Sequence, residues 1–188
     1  MDPVGRALHD LAQREPFGDV VDVGCGRGQF GLLLRSAGVA TTVVGFDWDE
    51  EKVTIANLAS RGLDEVHFEQ GDVRHVALPS CDTVLLVDIL HYLDHAEQDD
   101  LLVRAANAAR IESGRVIVRD VDPDQGASSA LTKGWEWVTT TLGYNRGARV
   151  APRSFDAMAA ILEAEGLVVT RERCSARVMS NELLIARR

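Results

Sequence analysis

The stretch Val20-Val21-Asp22-Val23-Gly24-Cys25-Gly26-Arg27-Gly28 decides the fold of this 188-residue chain. Its first four residues are rich in β-branched side chains and predict a short strand that ends at a cluster of glycines. Glycines that join a strand to a helix let a ligand approach bare backbone, with N–H groups and the helix dipole directed at an anion. The acid inside the strand, Asp22, suits a positively charged group on the same ligand, such as an amino group or a sulfonium.

Apolar runs and helical stretches alternate along the rest of the chain. Runs of branched apolar residues predict strands at 20–23, 41–46, 66–68, 83–87, 115–118, 167–170 and 183–186. The last two strands lie close together without a helix between them, which favours an antiparallel hairpin at a sheet edge. The whole pattern predicts an α/β fold with an open, doubly wound, mostly parallel sheet, helices on both faces and an antiparallel C-terminal hairpin.

Composition limits the class of protein. The length fits one domain, 1–188, and 46% hydrophobic residues are normal for a globular core. The 20 basic and 29 acidic side chains give a net charge of −9, which argues against nucleic acid as a partner, since such proteins concentrate Lys and Arg. Neither a membrane-length apolar run nor a signal-peptide layout occurs, and three widely spaced cysteines predict no disulfide framework. We therefore expect a cytoplasmic protein with no membrane partner.

Further acidic residues follow the predicted strands. Asp47 ends the second strand, 19 residues beyond Gly28, and an acid about 20 residues beyond a glycine loop commonly binds ribose hydroxyls. Asp72 follows the third strand and Asp88 the fourth. Because the carboxyl ends of parallel strands meet at one edge of the sheet, we expect these acids to line the same crevice as Asp22.

These motifs resemble those of the class I S-adenosylmethionine-dependent methyltransferases. The segment from Asp22 to Gly28 follows that family's acid-x-Gly-x-Gly-x-Gly pattern, and the similarity continues through 45–48, 71–73 and 82–92 to the terminal hairpin. The resemblance implies a seven-stranded, Rossmann-like sheet, S-adenosyl-L-methionine as cofactor, and methyl transfer as the activity.

The resemblance also implies a set of cofactor contacts. The cofactor's carboxylate suits a helix N-terminus and its ammonium suits a carboxylate. The implied residues are Asp22, Gly24, Gly26 and Gly28 at the methionine end, with Cys25 as a small spacer; Asp47 at the ribose; Trp48 beside the adenine; Asp72 and the Val73 backbone at the adenine edge; and Asp88 at the border of the cofactor site.

The residues after the fourth predicted strand indicate how the methyl acceptor is activated. His91 lies where many small-molecule members of the resembling family have a histidine or an aromatic residue near the methyl group. A histidine there is able to deprotonate a phenol or another hydroxyl, because its pKa lies near neutrality. We predict His91 as the catalytic residue, with Tyr92 and Asp120 beside the acceptor. Proximity alone remains an alternative, since a sulfonium is already an activated electrophile.

The sequence disfavours two other reactions, methylation of base amino groups and a magnesium-dependent O-methylation. Members of the resembling families that methylate base amino groups carry a Pro-Pro motif after the fourth strand, whereas this chain has no proline between Pro79 and Pro123. Asp88, Asp120 and Asp122 resemble the magnesium site of catechol-type O-methyltransferases, but that family expects Asn directly after the second of these acids, where this chain has Val121. We therefore predict a small-molecule acceptor and no metal.

The long irregular stretch 120–153 exceeds a plain connection and is predicted to border the acceptor pocket. It contains Trp135, Trp137 and Tyr144, and aromatic walls suit flat or apolar acceptors. Ordinary cover for the core is an equally good interpretation of these aromatic residues. The short N-terminal segment 4–13 is a candidate partial lid, or the lid comes from a second subunit in a homodimer.

Three functions remain open on the sequence. We favour methylation of a hydroxyl oxygen on a phenolic or natural-product-like molecule. A non-catalytic S-adenosylmethionine-binding regulatory subunit would keep the same cofactor loop. An NAD-dependent oxidoreductase is the weakest alternative: the residues 26–31 have the GxGxxG spacing, but that frame begins three residues after the strand ends.

Overall fold

Seven strands and five α-helices alternate along the residues that the computed structural model describes, which are 3–120, 151–173 and 182–188. The strands are β1 (Gly18–Val23), β2 (Ala40–Asp47), β3 (Val66–Gln70), β4 (Thr83–Val87), β5 (Arg115–Arg119), β6 (Val168–Arg173) and β7 (Glu182–Arg187). The helices are α1 (Pro3–Arg14), α2 (Gln29–Ser36), α3 (Glu50–Ala59), α4 (His95–Ala108) and α5 (Phe155–Ala164), with a 3-10 helix at Leu90–Tyr92. The predicted pocket residues Trp135 and Tyr144, together with Trp137 and Asp122, lie outside the described residues.

The strands form one sheet in the order β3-β2-β1-β4-β5-β7-β6. The first five strands in this order are parallel to one another, whereas β7 runs antiparallel to both β5 and β6. The predicted mostly parallel sheet with an antiparallel C-terminal hairpin is therefore confirmed. Chain order reverses between β1 and β4, and ligands of such sheets bind outside the carboxyl ends of the strands at this point.

Hydrophobic clusters cover both faces of the sheet, as expected for central strands with every residue buried, such as β4. Helix α1 belongs to one of these clusters, with Val4, Leu8 and Leu11 buried. The N-terminal segment, a candidate lid on the sequence, thus contributes a buried face to the core. Among the described helices, none combines the length and the apolar character needed to cross a membrane.

The helix starts explain why the loops at the carboxyl edge hold their positions. Asp49 caps α3 by accepting from two backbone N–H groups, and Asp94 with Glu97 forms a capping box at the start of α4. Helix α2 differs, because its first flanking residue is Gly28, which has φ of 74° and offers no side chain to cap the helix. The free N-terminal amides of α2 therefore need another acceptor.

Candidate cofactor and active site

The glycine loop between β1 and α2 is tied to the neighbouring strand by its own backbone. Gly24 and Cys25 both donate their N–H groups to the Phe46 carbonyl, at 2.8 and 3.0 Å, and the Gly28 N–H donates to the Cys25 carbonyl at 2.9 Å. The sequence predicted that loop N–H groups face an anionic ligand. These three N–H groups instead stabilise the loop itself. The N–H groups in the first turn of α2 are therefore the ones left to bind an anion.

The space around each glycine of the loop distinguishes the glycines that pack against other side chains from the one that a ligand can approach. A Cβ added at Gly24 would lie 2.7 Å from the Ile89 side chain, and one at Gly28 would lie 2.6 Å from the Phe68 ring. Among the described residues, a Cβ at Gly26 would meet no atom within 4 Å, although Gly26 also has a positive φ of 55°. Gly26 therefore borders open space at the carboxyl edge, which fits a ligand lying against bare backbone.

Asp22 is a buried carboxylate with an oxygen still to be satisfied. Its residue is 1% exposed, and Oδ2 has no hydrogen-bond partner in the described part of the chain. Gly31, the third residue of α2, lies beside this carboxylate. Burial, with the negative charge of Asp47 nearby, raises the pKa of Asp22 to about 7. A cationic group beside Oδ2 would stabilise the ionised form.

The close approach of α2 to Asp22 was missed on the sequence, although Gly31 carries a signal for it. A Cβ at Gly31 would lie 2.7 Å from Val43 and 3.6 Å from the Asp22 carboxylate. A glycine three residues into a predicted helix indicates a close approach of helix to strand, and that approach brings the Gly31 N–H to Asp22.

Asp47 holds the loop and the start of α3 at the same time. Its Oδ2 accepts from the Gly26 N–H at 2.8 Å, and its Oδ1 accepts from the Asp49 N–H at 3.0 Å. Each carboxylate oxygen accepts more than one hydrogen bond, so both keep capacity for a donor such as a ribose hydroxyl. Trp48 follows directly and is 54% exposed, as a residue that stacks on a ligand would be.

Asp72 is already paired at the adenine edge that the sequence predicted. Nε of Arg74 lies 2.9 and 3.0 Å from the two carboxylate oxygens and Nη2 lies 2.5 Å from Oδ2, while the Arg74 backbone N–H donates to Oδ1 at 3.0 Å. These bonds lower the pKa of Asp72 to about 2. A ligand would therefore share this carboxylate with Arg74, a residue that sequence reasoning missed.

Asp88 and Arg119 form an ion pair at the ends of β4 and β5. Asp88 adopts a positive φ of 56°, an uncommon conformation for a residue other than glycine, and its N–H donates to the Arg119 carbonyl at 2.8 Å. The sequence predicted Asp88 at the border of the cofactor site. In the structure it lies at that edge with its carboxylate turned to Arg119.

His91 and Asp120 form a buried pair. The His91 Nδ1 lies 2.6 Å from Asp120 Oδ1, and the His91 backbone N–H donates to Asp120 Oδ2 at 3.2 Å. The residues are 4% and 1% exposed, and within the described residues His91 Nε2 has no hydrogen-bond partner. Tyr92 packs on the imidazole with ring centroids 4.0 Å apart. Burial and the charges of nearby acids raise the pKa of Tyr92 to about 12, so its hydroxyl is neutral.

The sequence named His91 and Asp120 separately, and the structure brings them together. Both follow strands that are neighbours in the sheet, β4 and β5, so the strand order was the missing information. Elsewhere in the described residues no group of three or more His, Cys, Asp and Glu side chains is arranged to hold a metal ion. Burial raises the pKa of the Cys25 thiol well above its usual range, which makes it a poor nucleophile.

Comparisons with known proteins agree with this geometry. A family described as a methyltransferase domain matches residues 20–112. Nocamycin O-methyltransferase of Saccharothrix syringae is 43% identical over 83 residues, which cover 42% of this chain and 29% of that protein. Trans-aconitate 2-methyltransferase of Mycolicibacterium gilvum is 36% identical over 113 residues, 58% of this chain and 42% of that protein. The chain thus spans less than half the length of these relatives.

Among solved structures, magnesium protoporphyrin IX methyltransferase from Synechocystis with bound S-adenosylhomocysteine superposes with a TM-score of 0.73 at 22% identity. The superposition covers 98% of this chain and 81% of that one. The sheet order, the glycine loop with its acidic partner and the family match together define the class. The chain carries a methyltransferase domain, matched over residues 20–112, with the fold of the class I S-adenosylmethionine-dependent methyltransferases.

Proposed function

We propose that the protein transfers a methyl group from S-adenosyl-L-methionine to a hydroxyl oxygen of a small molecule. The observation that carries the proposal is the buried His91–Asp120 pair at the carboxyl edge of the sheet. When bound, the cofactor supplies an activated methyl group on a sulfonium. The acceptor oxygen must lose its proton as the new bond forms, and the pair is suited to take it.

The residues that would hold the cofactor follow from the crevice beside β1 and β2. The unpartnered Oδ2 of Asp22 fits the cofactor's ammonium, and the open side of Gly26 lets the ligand lie against the backbone. The remaining acceptor capacity of Asp47 fits two ribose hydroxyls, and the exposed ring of Trp48 fits one face of the adenine. Asp72 and the Val73 backbone would contact the adenine edge.

The geometry of the pair supports a separate role for each nitrogen of His91. Asp120 accepts at Nδ1, so that nitrogen carries the proton of the neutral ring, and Nε2 presents a lone pair. A proton taken by Nε2 produces an imidazolium that the Asp120 carboxylate stabilises at 2.6 Å. His91 is thus the general base, and Asp120 orients it.

The stretch 120–153 would supply the wall of the acceptor site. Its return to the described part of the chain supports this, since the Ala151 N–H donates to the His91 carbonyl at 3.0 Å. The side-chain amide of Gln98, buried in α4, donates to the Ala151 carbonyl at 2.7 Å. The segment therefore ends against the general base. Trp135 and Tyr144 are proposed as acceptor contacts within it.

A carboxylate acceptor is the second candidate, because a trans-aconitate methyltransferase is among the relatives. A carboxylic acid with a pKa near 4 is ionised at neutral pH and needs no base. The two candidates therefore differ in their dependence on His91.

The experiment measures S-adenosylhomocysteine formation with a panel of phenols, enolised dicarbonyl compounds and polycarboxylic acids, including trans-aconitate. A hydroxyl acceptor should be methylated, and His91→Ala should lower its turnover about 10²–10⁴-fold. His67→Ala, on the exposed side of β3, is the matched control and should keep full turnover.

Cofactor affinity of His91→Ala should equal that of the wild type. Methylation of carboxylic acids alone, at a rate that His91→Ala leaves intact, would favour the second candidate. A His91→Ala variant that keeps more than half the turnover on a hydroxyl would leave proximity as the source of the rate.

A further inference from the structure

The turn after β3, residues 72–76, is closed by its own hydrogen bonds. The Asp72 carbonyl accepts from the N–H groups of His75 and Val76, both at 2.9 Å, and the Asp72 side chain accepts from the Arg74 N–H at 3.0 Å. Such a turn keeps its internal shape, but these bonds do not determine where it lies relative to the crevice. Contacts with the rest of the molecule must do that.

One side chain of α4 makes such contacts with both ends of the turn. Nη2 of Arg104 donates to the Val73 carbonyl at 2.7 Å, and Nη1 donates to the Val76 carbonyl at 3.0 Å. Nε donates to Asp100 on the preceding turn of the helix at 2.7 Å, which holds the guanidinium in place. The planar fork of an arginine allows all three bonds at once, whereas a lysine ammonium has no such geometry.

We infer that Arg104 is a positioning residue for the adenine end of the cofactor site. The inference rests on the proposed contacts of Asp72 and the Val73 backbone with the adenine edge. The peptide unit that joins Val73 to Arg74 is held from both sides, its carbonyl by Arg104 and its N–H by Asp72. Moving the Val73 carbonyl therefore moves the Asp72 carboxylate and the Val73 backbone with it.

A second, weaker tie supports the same arrangement. Arg74, paired with Asp72, also lies 3.5 Å from Glu97 in the first turn of α4. This contact is half-exposed, so solvent screens it. Arg104 is the better buried of the two arginines. Helix α4 thus determines the position of the adenine edge through Arg104, although α4 itself follows β4, which is two strands away from β2 in the sheet.

The test compares Arg104→Met with the wild type by calorimetric titration of S-adenosylhomocysteine and S-inosylhomocysteine. Hypoxanthine replaces the adenine amine with an oxygen, so the ratio of the two affinities reports the contacts at the adenine edge. We expect Arg104→Met to weaken S-adenosylhomocysteine binding about ten-fold, the loss of roughly one charge-assisted hydrogen bond. The wild-type preference for adenine should fall with it, and the KM for S-adenosylmethionine should rise while kcat stays within two-fold.

Arg188→Met is the matched control. Arg188 also donates to two backbone carbonyls, those of Glu165 and Ala106 at 2.7 and 2.8 Å, but at the opposite edge of the sheet. We expect Arg188→Met to lower the thermal stability about as much as Arg104→Met does, and to leave the affinity for S-adenosylhomocysteine unchanged. Arg104→Lys provides a second, milder variant in case Arg104→Met does not fold.

An Arg104 variant that folds and keeps both the affinity and the adenine preference of the wild type would overturn the inference. A wild-type protein that binds S-adenosylhomocysteine but has no preference for adenine would overturn it as well, and the cofactor assignment would stand. If the wild type binds neither compound, the proposed function itself fails.

Discussion

At the scale of single residues, two carboxylates with the same burial have different environments. Asp22 and Asp120 are each 1% exposed. Both oxygens of Asp120 receive hydrogen bonds from His91, one from the ring and one from the backbone. Asp22 lies beside the Gly31 backbone, and its Oδ2 has no hydrogen-bond partner among the described residues. A buried carboxylate is stable as an ion only when its oxygens are satisfied, so Asp22 is complete only with a ligand.

The variant Asp120→Asn tests the assignment of the His91 tautomer. An amide can donate to Nδ1 as well as accept from it, so the ring is free to carry its proton on Nε2, where it cannot act as a base. We expect turnover on a hydroxyl acceptor to fall at least about 10²-fold, with unchanged affinity for S-adenosylhomocysteine. Steady-state rates of the two proteins on a hydroxyl acceptor at neutral pH measure this. Asp156→Asn, on the exposed face of α5, is the control; an equal fall in both variants would contradict the assignment.

The variant Asp22→Asn should stabilise the free protein and weaken the cofactor complex. The folded-state pKa of Asp22, about 7, lies above the ordinary 3.8, so ionisation favours the unfolded chain. Its contribution to stability is therefore lost as pH rises between these values and is lowest above pH 7. We expect Asn to raise the free energy of unfolding by about 2–4 kcal/mol at pH 8, with little change at pH 4.

Urea denaturation at the two pH values measures that gain, and titration with S-adenosylhomocysteine measures the loss of affinity. Wild-type binding should also release a proton near pH 6.5, because the ligand's ammonium favours the ionised carboxylate. Equal stability of the two proteins at pH 8 would show that Asp22 is not held in the way described here.

Sequence reasoning was able to find residues whose position follows from the chain alone. Asp47 was identified because the spacing from a glycine loop to the end of the next strand is nearly fixed by the intervening helix. The pairing of His91 with Asp120 depends on which strands are neighbours, and the contacts of Arg104 depend on how α4 packs. Neither has a local signal, so both required the structure.

At the scale of the elements, the glycine loop separates a packing function from a binding function. Gly28 lies against Phe68, whereas Gly26 borders open space. Both have a positive φ, 74° and 55°, which disfavours any other residue by about 1–2 kcal/mol. A methyl group at the two positions therefore has the same backbone penalty and different surroundings.

We predict that Gly28→Ala is the more destabilising substitution and Gly26→Ala the more damaging to binding. Gly28→Ala should lower the free energy of unfolding by about 3 kcal/mol, from backbone strain and overlap with the Phe68 ring. Gly26→Ala should lower it by only about 1–2 kcal/mol but weaken S-adenosylhomocysteine binding at least about ten-fold, because the methyl group projects into the ligand's space. Denaturation and calorimetry on both variants measure the two quantities, and the reverse order of affinities would contradict the placement of the ligand.

Element boundaries were predicted well where a strand is apolar throughout. The strand β4 was predicted at 83–87 and is observed at Thr83–Val87. The edge strand β6 was predicted at 167–170 and continues to Arg173, because its last residues are charged and pair with β7 through their backbone. The segment 4–13 was predicted as a candidate partial lid. It lies in helix α1, whose apolar residues Val4, Leu8 and Leu11 are buried in the core.

At the scale of the whole molecule, the two edges of the parallel strands carry different kinds of side chain. The carboxyl edge holds Asp22, Asp47 and the His91–Asp120 pair, which keep hydrogen-bonding capacity for a ligand. The amino edge holds ion pairs within the protein. There Arg110 donates to Asp19 at 2.6 Å and also to Asp82, joining the segment before β5 to the starts of β1 and β4. We therefore expect the stability that the amino edge provides to be independent of binding at the carboxyl edge.

The variant Arg110→Gln tests this independence. We expect it to lower the free energy of unfolding at pH 7 only slightly, because the arginine side chain is 40% exposed and solvent screens its ion pairs. Hydrogen bonding to Arg110 and Thr42 lowers the pKa of Asp19 below the ordinary 3.8. The stabilisation from this pair is therefore full above about pH 4 and is lost as pH falls through the lowered value, so the gap between variant and wild type should narrow as pH falls below about 4. Urea denaturation at pH 7 and pH 3 measures the gap, and S-adenosylhomocysteine affinity at pH 7 should stay within two-fold. A larger loss of affinity would mean that the starts of β1 and β4 transmit their position to the glycine loop, and that the two edges act as one unit.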